Sequence, residues 1–191
     1  MRNLWQALVV TAVLAAVWTI GATGNKPAPV NSAHYEKATL AGGCFWGLQE
    51  TLRWIPGVIK TTVGYTGGTT PNPTYEQVAA GKTGHTEAVE VIFDPARLSY
   101  EQLLADFLSA RNPARQSTRV GNPHRLAIFY HDAGQRQTAE RMLDKINQSG
   151  KWNSPVILEI TRATGFYPAE AYHQDYYRKI SAAQTCRLEQ D

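Results

Sequence analysis

Residues 35–55 read YEKATLAGGCFWGLQETLRWI and place one of the two cysteines of the chain between a strand and a helix. Residues 35–41 predict a short strand. Residues 48–55 carry apolar side chains at helical spacing, and Pro56-Gly57 ends that pattern. Cys44 is therefore expected to open a helix directly after a strand. Unpaired backbone N–H groups and the helix dipole favour a thiolate there, so we expect a low pKa for the thiol.

The two residues after this cysteine, Phe45 and Trp46, are both large aromatics. Beside a reactive sulfur they suggest a hydrophobic cup that holds a small apolar group. A buried structural cysteine gains nothing from a position at a helix N-terminus, so this context favours chemistry at Cys44.

The composition is that of one globular domain with a core of its own. The chain has 191 residues, of which 43% are hydrophobic and 18% are charged. The formal net charge of +3 is modest, and no basic block with interleaved aromatics appears, so we expect no nucleic-acid partner. The five histidines show no ligand spacing with cysteines or paired carboxylates, so we expect no metal site. Nothing suggests a nucleotide or a flavin.

The first 24 residues differ from the rest of the chain. A short positive start, Met1-Arg2-Asn3, precedes an uncharged, largely apolar run over residues 4–22. This pattern is typical of a secretory signal, and the run is also nearly long enough to span a bilayer. We predict a signal peptide or an N-terminal membrane anchor over residues 1–24, a linker over 25–34 and a catalytic domain over 35–191. With either kind of leader the domain is exported, and a periplasmic location, released or membrane-anchored, is the simplest interpretation.

Strand and helix patterns alternate after the linker. Strands are predicted near residues 35–41, 57–65, 85–94, 125–131 and 156–160, and helices near 48–55, 75–78, 99–108, 135–149 and 166–179. The order β-α-β-β-α-β-α-β predicts an α/β (α+β) fold, specifically a two-layer ferredoxin-like plait with a mixed sheet and extra helices.

The strand predicted over residues 85–94 carries an acidic residue on its apolar face. Glu87, Val89, Val91 and Phe93 share that face because side chains alternate along a strand. A carboxyl group at a core-facing position is unusual, since burial disfavours its charged form. Glu87 is therefore a candidate acid, unless the strand lies at an edge and Glu87 is a surface carboxylate.

Several motifs together resemble the methionine sulfoxide reductase A family. They cover roughly residues 36–178 in the family's order: GCFWG at 43–47, GYTGG at 64–68, NPTY at 72–75, TGHTEAV at 83–89, FDP at 93–95, and FYPAE at 166–170 with HQ at 173–174 and Tyr176. The resemblance implies a thiol enzyme that reduces methionine S-sulfoxide, either free or in proteins.

The resemblance also implies roles for particular residues. Cys44 would attack the sulfoxide sulfur and become a sulfenic acid. Glu87 would be the acid that protonates the sulfoxide oxygen, and Tyr75 would donate a second hydrogen bond to that oxygen. Phe45 and Trp46 would hold the S-methyl group. For Tyr75 an alternative stays open, namely an aromatic that caps the core at a turn.

The second cysteine, Cys186, lies close to the position of the resolving cysteine in that family. It would condense with the sulfenic acid to give a Cys44–Cys186 disulfide, and a thioredoxin-like dithiol would reduce this bond, with no bound cofactor. The glycines usual around the resolving cysteine are absent from residues 184–188. His173 and Tyr176 would join the substrate-binding residues.

One segment departs from the family pattern. His124 stands where the family has a tyrosine, and Arg119 stands where it has an acidic residue. The imidazole of His124 can still donate a hydrogen bond, so we count it among the substrate-binding residues. Arg119 reverses the local charge and would either pair with Glu87 or bind an anionic group of the substrate. We therefore hypothesise an altered substrate preference.

Two other functions fit part of the pattern. One is an impaired relative that binds oxidised methionine, acts on a different sulfoxide, or serves as a module held by a permanent Cys44–Cys186 disulfide. The other is a thiol peroxidase, which explains Cys44 but not the aromatic pair. A mobile thiol of low pKa at Cys44 favours the reductase, whereas an unreducible disulfide favours the module.

Overall fold

The computed structural model describes residues 34–111, 118–151 and 155–181. The strands and helices defined there are β1 (Glu36–Ala41), α1 (Phe45–Arg53), β2 (Val58–Thr66), α2 (Tyr75–Ala79), β3 (Thr86–Phe93), α3 (Tyr100–Ala110), β4 (Ala127–Tyr130), α4 (Ala133–Gln148), β5 (Glu159–Arg162) and β6 (Phe166–Pro168). A further helical segment covers residues 176–181.

The strands form one sheet in the order β5-β4-β1-β3-β2-β6. Neighbouring strands are antiparallel, except that β4 and β5 are parallel. Parallel neighbours need a crossover connection, and α4 lies in the connection between these two strands. An α/β fold with a mixed sheet is confirmed, whereas the two-layer ferredoxin-like plait stays a prediction.

The main core joins the sheet to helices α1, α3 and α4. Apolar residues at helical spacing meet alternate residues of the central strands, among them Leu40, Leu48, Leu52, Val63, Val89, Val91, Phe93, Leu103 and Phe107. A separate, smaller cluster joins Ala41, Ala88, Ala127 and Phe129. The alternation along β3 therefore places Glu87 with Val89 on the core side, as the sequence predicts, and Glu87 is 2% exposed.

Side-chain caps define where α2, α3 and α4 begin. The Thr74 hydroxyl accepts a hydrogen bond from the Gln77 N–H, and the Gln77 side chain binds the Thr74 backbone in return. Ser99 caps α3 by accepting from the Gln102 N–H. Asp132 caps α4 by accepting from the Gln135 N–H at 2.8 Å. The first of these caps fixes Tyr75 at the first helical position of α2, next to the site described below.

The prediction of one helical segment over residues 166–179 is wrong for residues 166–175. Phe166–Pro168 form the edge strand β6, which pairs with the end of β2. Aromatic residues favour strands, and a proline is tolerated at a sheet edge but not in a helix interior. Turns follow over residues 171–175, and Asp175 has a φ of 55°. The helix begins only at residue 176, so His173 lies in a turn.

Residues 1–33 and Cys186 lie outside the described residues, and so do the predicted signal or anchor and nearly all of the predicted linker. In the part of the chain that the structure describes, no helix combines the length and the apolar character needed to cross a bilayer.

Candidate active site

Cys44 lies at the N-terminus of α1, a few residues after β1. Gly43 has a φ of 77°, a left-handed conformation that favours glycine, and its N–H donates to the His124 carbonyl at 3.2 Å. Cys44 is the N-cap residue, but its side chain makes no capping hydrogen bond. The thiol is free and exposed. The predicted strand-to-helix junction at the cysteine is therefore confirmed.

The pKa of the Cys44 thiol is raised, so the expectation of a low pKa is wrong. Although Cys44 is exposed, the surrounding protein removes part of the water around its sulfur, and this desolvation raises the pKa most because it disfavours the thiolate. The nearby Glu87 carboxylate raises the pKa further. The backbone N–H groups of Trp46 and Gly47 lower it, as expected at a helix N-terminus, but they do not offset these effects. Glu87 thus opposes ionisation of the sulfur.

Glu87 holds the start of α1 against β3. One of its carboxylate oxygens accepts a hydrogen bond from the Phe45 N–H at 2.9 Å. The other oxygen lies 3.2 Å from Nε2 of His124. Glu87 is almost fully buried, so these two contacts replace much of the water that a carboxylate needs. The carboxyl group is fixed beside the sulfur.

His124 is the more open member of this group, with a side chain that is 51% exposed. Its hydrogen bond to Glu87 raises the pKa of His124, and the opposing effect of burial is smaller. The preceding residue anchors the loop, because the Pro123 carbonyl accepts from the Glu87 N–H at 2.8 Å and from the Thr86 hydroxyl at 2.9 Å. Arg119 is exposed in the turn before it, and its predicted effect on Glu87 stays a prediction.

Aromatic rings form a wall beside the sulfur. Phe45 is fully buried, and its ring centroid lies 5.2 Å from that of His173 and 6.5 Å from that of Tyr75. Trp46 is partly buried and stacks on Tyr176 with 3.7 Å between ring centroids and 7° between ring planes. The two aromatics after the cysteine therefore belong to different parts of the wall, one in the core and one at its surface.

A hydrogen bond fixes the edge of this wall. The Trp46 indole Nε1–H donates to Nδ1 of His173 at 3.0 Å. A neutral His173 that accepts at Nδ1 carries its proton on Nε2. Burial lowers the pKa of His173, and this keeps the ring neutral and able to accept. The hydrogen bond between Trp46 and His173 connects α1 to the turn after β6, and its two residues lie 127 positions apart in the sequence.

Glu170 connects the wall to α2. Its two carboxylate oxygens accept from the Tyr75 N–H at 3.1 Å and from the Tyr65 hydroxyl at 2.7 Å. Burial opposes its charge, but hydrogen bonds, including these two, together lower the pKa of Glu170. The pKa of Tyr75 is raised, first by desolvation and then by the charge of Glu87, so its hydroxyl stays protonated. The interpretation of Tyr75 as a donor is consistent with this.

Two arginines and Glu170 have no role in the sequence-based account. The Arg125 side chain is fully buried, binds Glu159 at 2.8 Å and donates to the Gly84 carbonyl at 3.1 Å, so it ties β4 to β5 and to the loop before β3. Arg111 lies at the end of α3, near Gly47. A signal for Arg125 was available, since an arginine at the start of an apolar strand needs a buried partner. Glu170 lies within a motif, but nothing in the motif shows what it binds.

The structure thus gathers eight of the nine sequence-predicted site residues in one region: Cys44, Phe45, Trp46, Tyr75, Glu87, His124, His173 and Tyr176. The ninth, Cys186, lies outside the described residues. No group of three or more histidine, cysteine or acidic residues could hold a metal ion within residues 34–111, 118–151 and 155–181. The arrangement combines a thiol, a buried carboxyl and a neutral phenol beside an apolar wall.

Comparison with known proteins decides the family. A sequence model of the family described as "Peptide methionine sulfoxide reductase" matches residues 36–191. The chain belongs to the peptide methionine sulfoxide reductase family. The "Peptide methionine sulfoxide reductase MsrA" of Listeria innocua is 49% identical to it over 150 residues, which are 77% of this chain and 85% of that protein.

Solved structures of reductases share the fold. The structure of "Methionine sulfoxide reductase A of Corynebacterium diphtheriae" matches with a TM-score of 0.64 and 32% identity, covering 76% of this chain and 74% of that one. Mxr1 from Saccharomyces cerevisiae, solved in complex with Trx2, matches with a TM-score of 0.53 and 21% identity over 79% and 91% of the two chains, a likeness of fold alone. As a member of this reductase family, the chain is an oxidoreductase that uses thiol chemistry.

Proposed function

We propose that this reductase acts on the S epimer of methionine sulfoxide, in exported proteins or as the free amino acid, with Cys44 as the attacking group. The observation that carries the proposal is the open Cys44 thiol beside the buried Glu87 carboxyl. The aromatic wall beside them is suited to an S-methyl group. A peroxidase would need the cysteine but not this wall.

The first step transfers one oxygen atom. The Cys44 sulfur attacks the sulfoxide sulfur, and the S–O bond of the substrate breaks. The sulfide leaves with two electrons taken from the cysteine sulfur, and the oxygen ends on Cys44 as a sulfenic acid. Glu87 takes up the thiol proton as the sulfur attacks and delivers it to the sulfoxide oxygen, and a hydrogen bond from Tyr75 stabilises charge on that oxygen as the S–O bond weakens. The raised pKa of Tyr75 supports its role as a donor.

The second stage regenerates the thiol. The Cys186 thiol attacks the sulfenic sulfur, water leaves, and a Cys44–Cys186 disulfide forms. A thioredoxin-like dithiol then supplies two electrons and two protons to restore both thiols, and no bound cofactor takes part. The yeast relative in complex with Trx2 supports a partner of this kind. The location of this cycle is outside the cytoplasm, as residues 1–24 suggest, with a released or a membrane-anchored domain.

Turnover of separate S and R epimers by the full chain tests the proposal, first with dithiothreitol and then with a thioredoxin. We expect loss of the S epimer only, with both reductants, and no activity in Cys44→Ser. Equal turnover of both epimers, or full activity in Cys44→Ser, would overturn it. Turnover with dithiothreitol but not with thioredoxin would leave the first step intact and contradict the role given to Cys186 or to the reductant.

A further inference from the structure

The side chain of Arg111, at the end of α3, lies against the first turn of α1, the helix that begins after Cys44. Its Nη2 atom lies 3.9 Å from the position that a Cβ atom would take on Gly47. Gly47 belongs to the first turn of α1, and its backbone N–H is one of the two that interact with the Cys44 sulfur. The guanidinium therefore lies against the first turn of the helix that begins after Cys44.

The guanidinium is poorly supplied with hydrogen bonds. Its Nε and Nη2 atoms are buried, and neither has a hydrogen-bond partner among the described residues. Burial of an arginine without a counter-charge is costly, because the guanidinium keeps its charge in proteins. Desolvation lowers the pKa of Arg111, and the negative charge of Cys44 opposes that lowering. A Cys44 thiolate would therefore supply a counter-charge for Arg111.

We propose that Arg111 is a positioning residue that holds a fixed positive charge beside the Cys44 sulfur and stabilises its anionic form. The proposal extends the proposed function, because it assigns an electrostatic source for the nucleophile that the reaction needs. Ionisation of the thiol releases its proton to solvent and leaves the negative charge on sulfur next to the guanidinium.

Other charged and titratable groups also face this sulfur. Glu87 approaches from β3 and disfavours the anion, while Tyr75 approaches from α2 and His124 from the loop before β4. Arg111 carries a permanent positive charge, whereas the imidazole of His124 already forms a hydrogen bond with Glu87. Loss of Arg111 would therefore leave the anionic sulfur without a fixed positive charge beside it, while His124 stays engaged by Glu87.

The test is the rate of Cys44 alkylation by iodoacetamide as a function of pH. It uses the full chain with Cys186→Ser, in which Cys44 is the sole remaining cysteine of the two in the sequence. We expect Arg111→Met to raise the apparent pKa of Cys44 by about half a unit to one unit, which is roughly a three- to tenfold slower reaction near neutral pH. Arg111→Lys keeps a positive charge and should recover most of the rate.

Arg136→Met is the matched control, because Arg136 is an exposed arginine of α4 that pairs with Glu140 at 2.8 Å. This variant also removes one positive charge, but from the exposed surface of α4, and should leave the pH dependence of Cys44 alkylation unchanged. Equal profiles for Arg111→Met, Arg136→Met and the parent would overturn the proposal. If Arg111→Met does not fold, Arg111→Gln and Arg111→Lys provide the same comparison, and equal rates in these two would also overturn it. Alkylation requires no sulfoxide, so this result is independent of whether the proposed reduction takes place.

Discussion

The polar and aromatic halves of the site shift the pKa values of their histidines in opposite directions. The polar half consists of Cys44, Glu87 and His124. The aromatic half consists of Phe45, Trp46, Tyr75, His173 and Tyr176. The half-exposed His124 lies against a carboxylate and its pKa is raised, whereas burial lowers the pKa of His173. The first ring is therefore suited to carry charge and the second to stay neutral.

This difference indicates a division of labour within the site. The contacts of the polar half depend on proton positions, because Glu87 lies between the sulfur and an imidazole. The contacts of the aromatic half are stacked rings and one hydrogen bond between neutral groups. We expect the polar half to govern the rate of the chemical step and the aromatic half to govern substrate binding.

Glu87→Gln should give the largest effect, a loss in kcat of about 10²–10⁴-fold with little change in KM. The amide keeps an oxygen that can accept from the Phe45 N–H but cannot supply the proton. Glu90→Gln is the matched control, because Glu90 lies on the same strand and pairs with Lys37 at 2.8 Å. Steady-state kinetics on methionine S-sulfoxide measures both variants. A loss below tenfold in Glu87→Gln would contradict the role of the polar half.

Trp46→Phe should instead raise KM about tenfold and change kcat much less, since it removes the hydrogen bond to His173, worth about 1 kcal/mol, and reduces the stacking contact with Tyr176. Trp54→Phe provides the control on the same helix. Trp54 is 74% exposed, and its indole N–H donates to Glu50 at 2.9 Å. If Trp46→Phe lowers kcat and leaves KM unchanged, the separation between the two halves fails.

NMR can measure the pKa values of both histidines. The ring signals of His124 should titrate above the ordinary histidine pKa of about 6.5, and those of His173 below it. Signals are assigned with His124→Asn and with His173→Gln. The two pKa values would contradict the account if they fall in the reverse order or coincide.

The smallest expected effect is on stability. A histidine whose pKa is raised on folding stabilises the folded state below its unfolded pKa, and this contribution is lost as pH rises through the folded value. The His124 side chain is 51% exposed, so His124→Asn should lower the free energy of unfolding by less than about 1 kcal/mol near pH 5.5, and by nothing near pH 8.5. Urea unfolding at both pH values measures this difference.

His131→Asn serves as a second variant in the same unfolding measurement, because the pKa of His131 is shifted in the opposite direction. Burial lowers the pKa of His131, so its contribution is present above the unfolded pKa and is lost as pH falls. The two variants should therefore show opposite pH trends. A parallel trend would show that the contact with Glu87 does not control His124.

Much of this arrangement is encoded in local patterns. The alternation along β3 predicts the buried face of Glu87, and the glycine pair between β1 and α1 predicts the junction at Cys44. Contacts between residues far apart in the sequence leave no such local pattern. The pairing of Trp46 with His173 joins residues 127 positions apart, and the edge strand β6 depends on a free side of β2.

The raised pKa of Cys44 shows the same limit for electrostatics. The helix N-terminus is readable from sequence, and its two N–H groups do lower the pKa. The balance, however, depends on how closely β3 brings a carboxylate to the sulfur and on how much water the fold removes. Those quantities exist only once the strands are paired.

A single-turnover experiment on the Cys186→Ser chain is the sharpest test of oxygen transfer from the sulfoxide to Cys44. The reduced protein is mixed with excess methionine S-sulfoxide without a reductant, methionine is quantified, and the sulfenic acid is trapped with dimedone and located by mass spectrometry. We expect about one methionine per chain and an equal amount of trapped product on Cys44. Methionine formed without modification of Cys44, or no methionine from folded protein with Cys44 reduced, would contradict it.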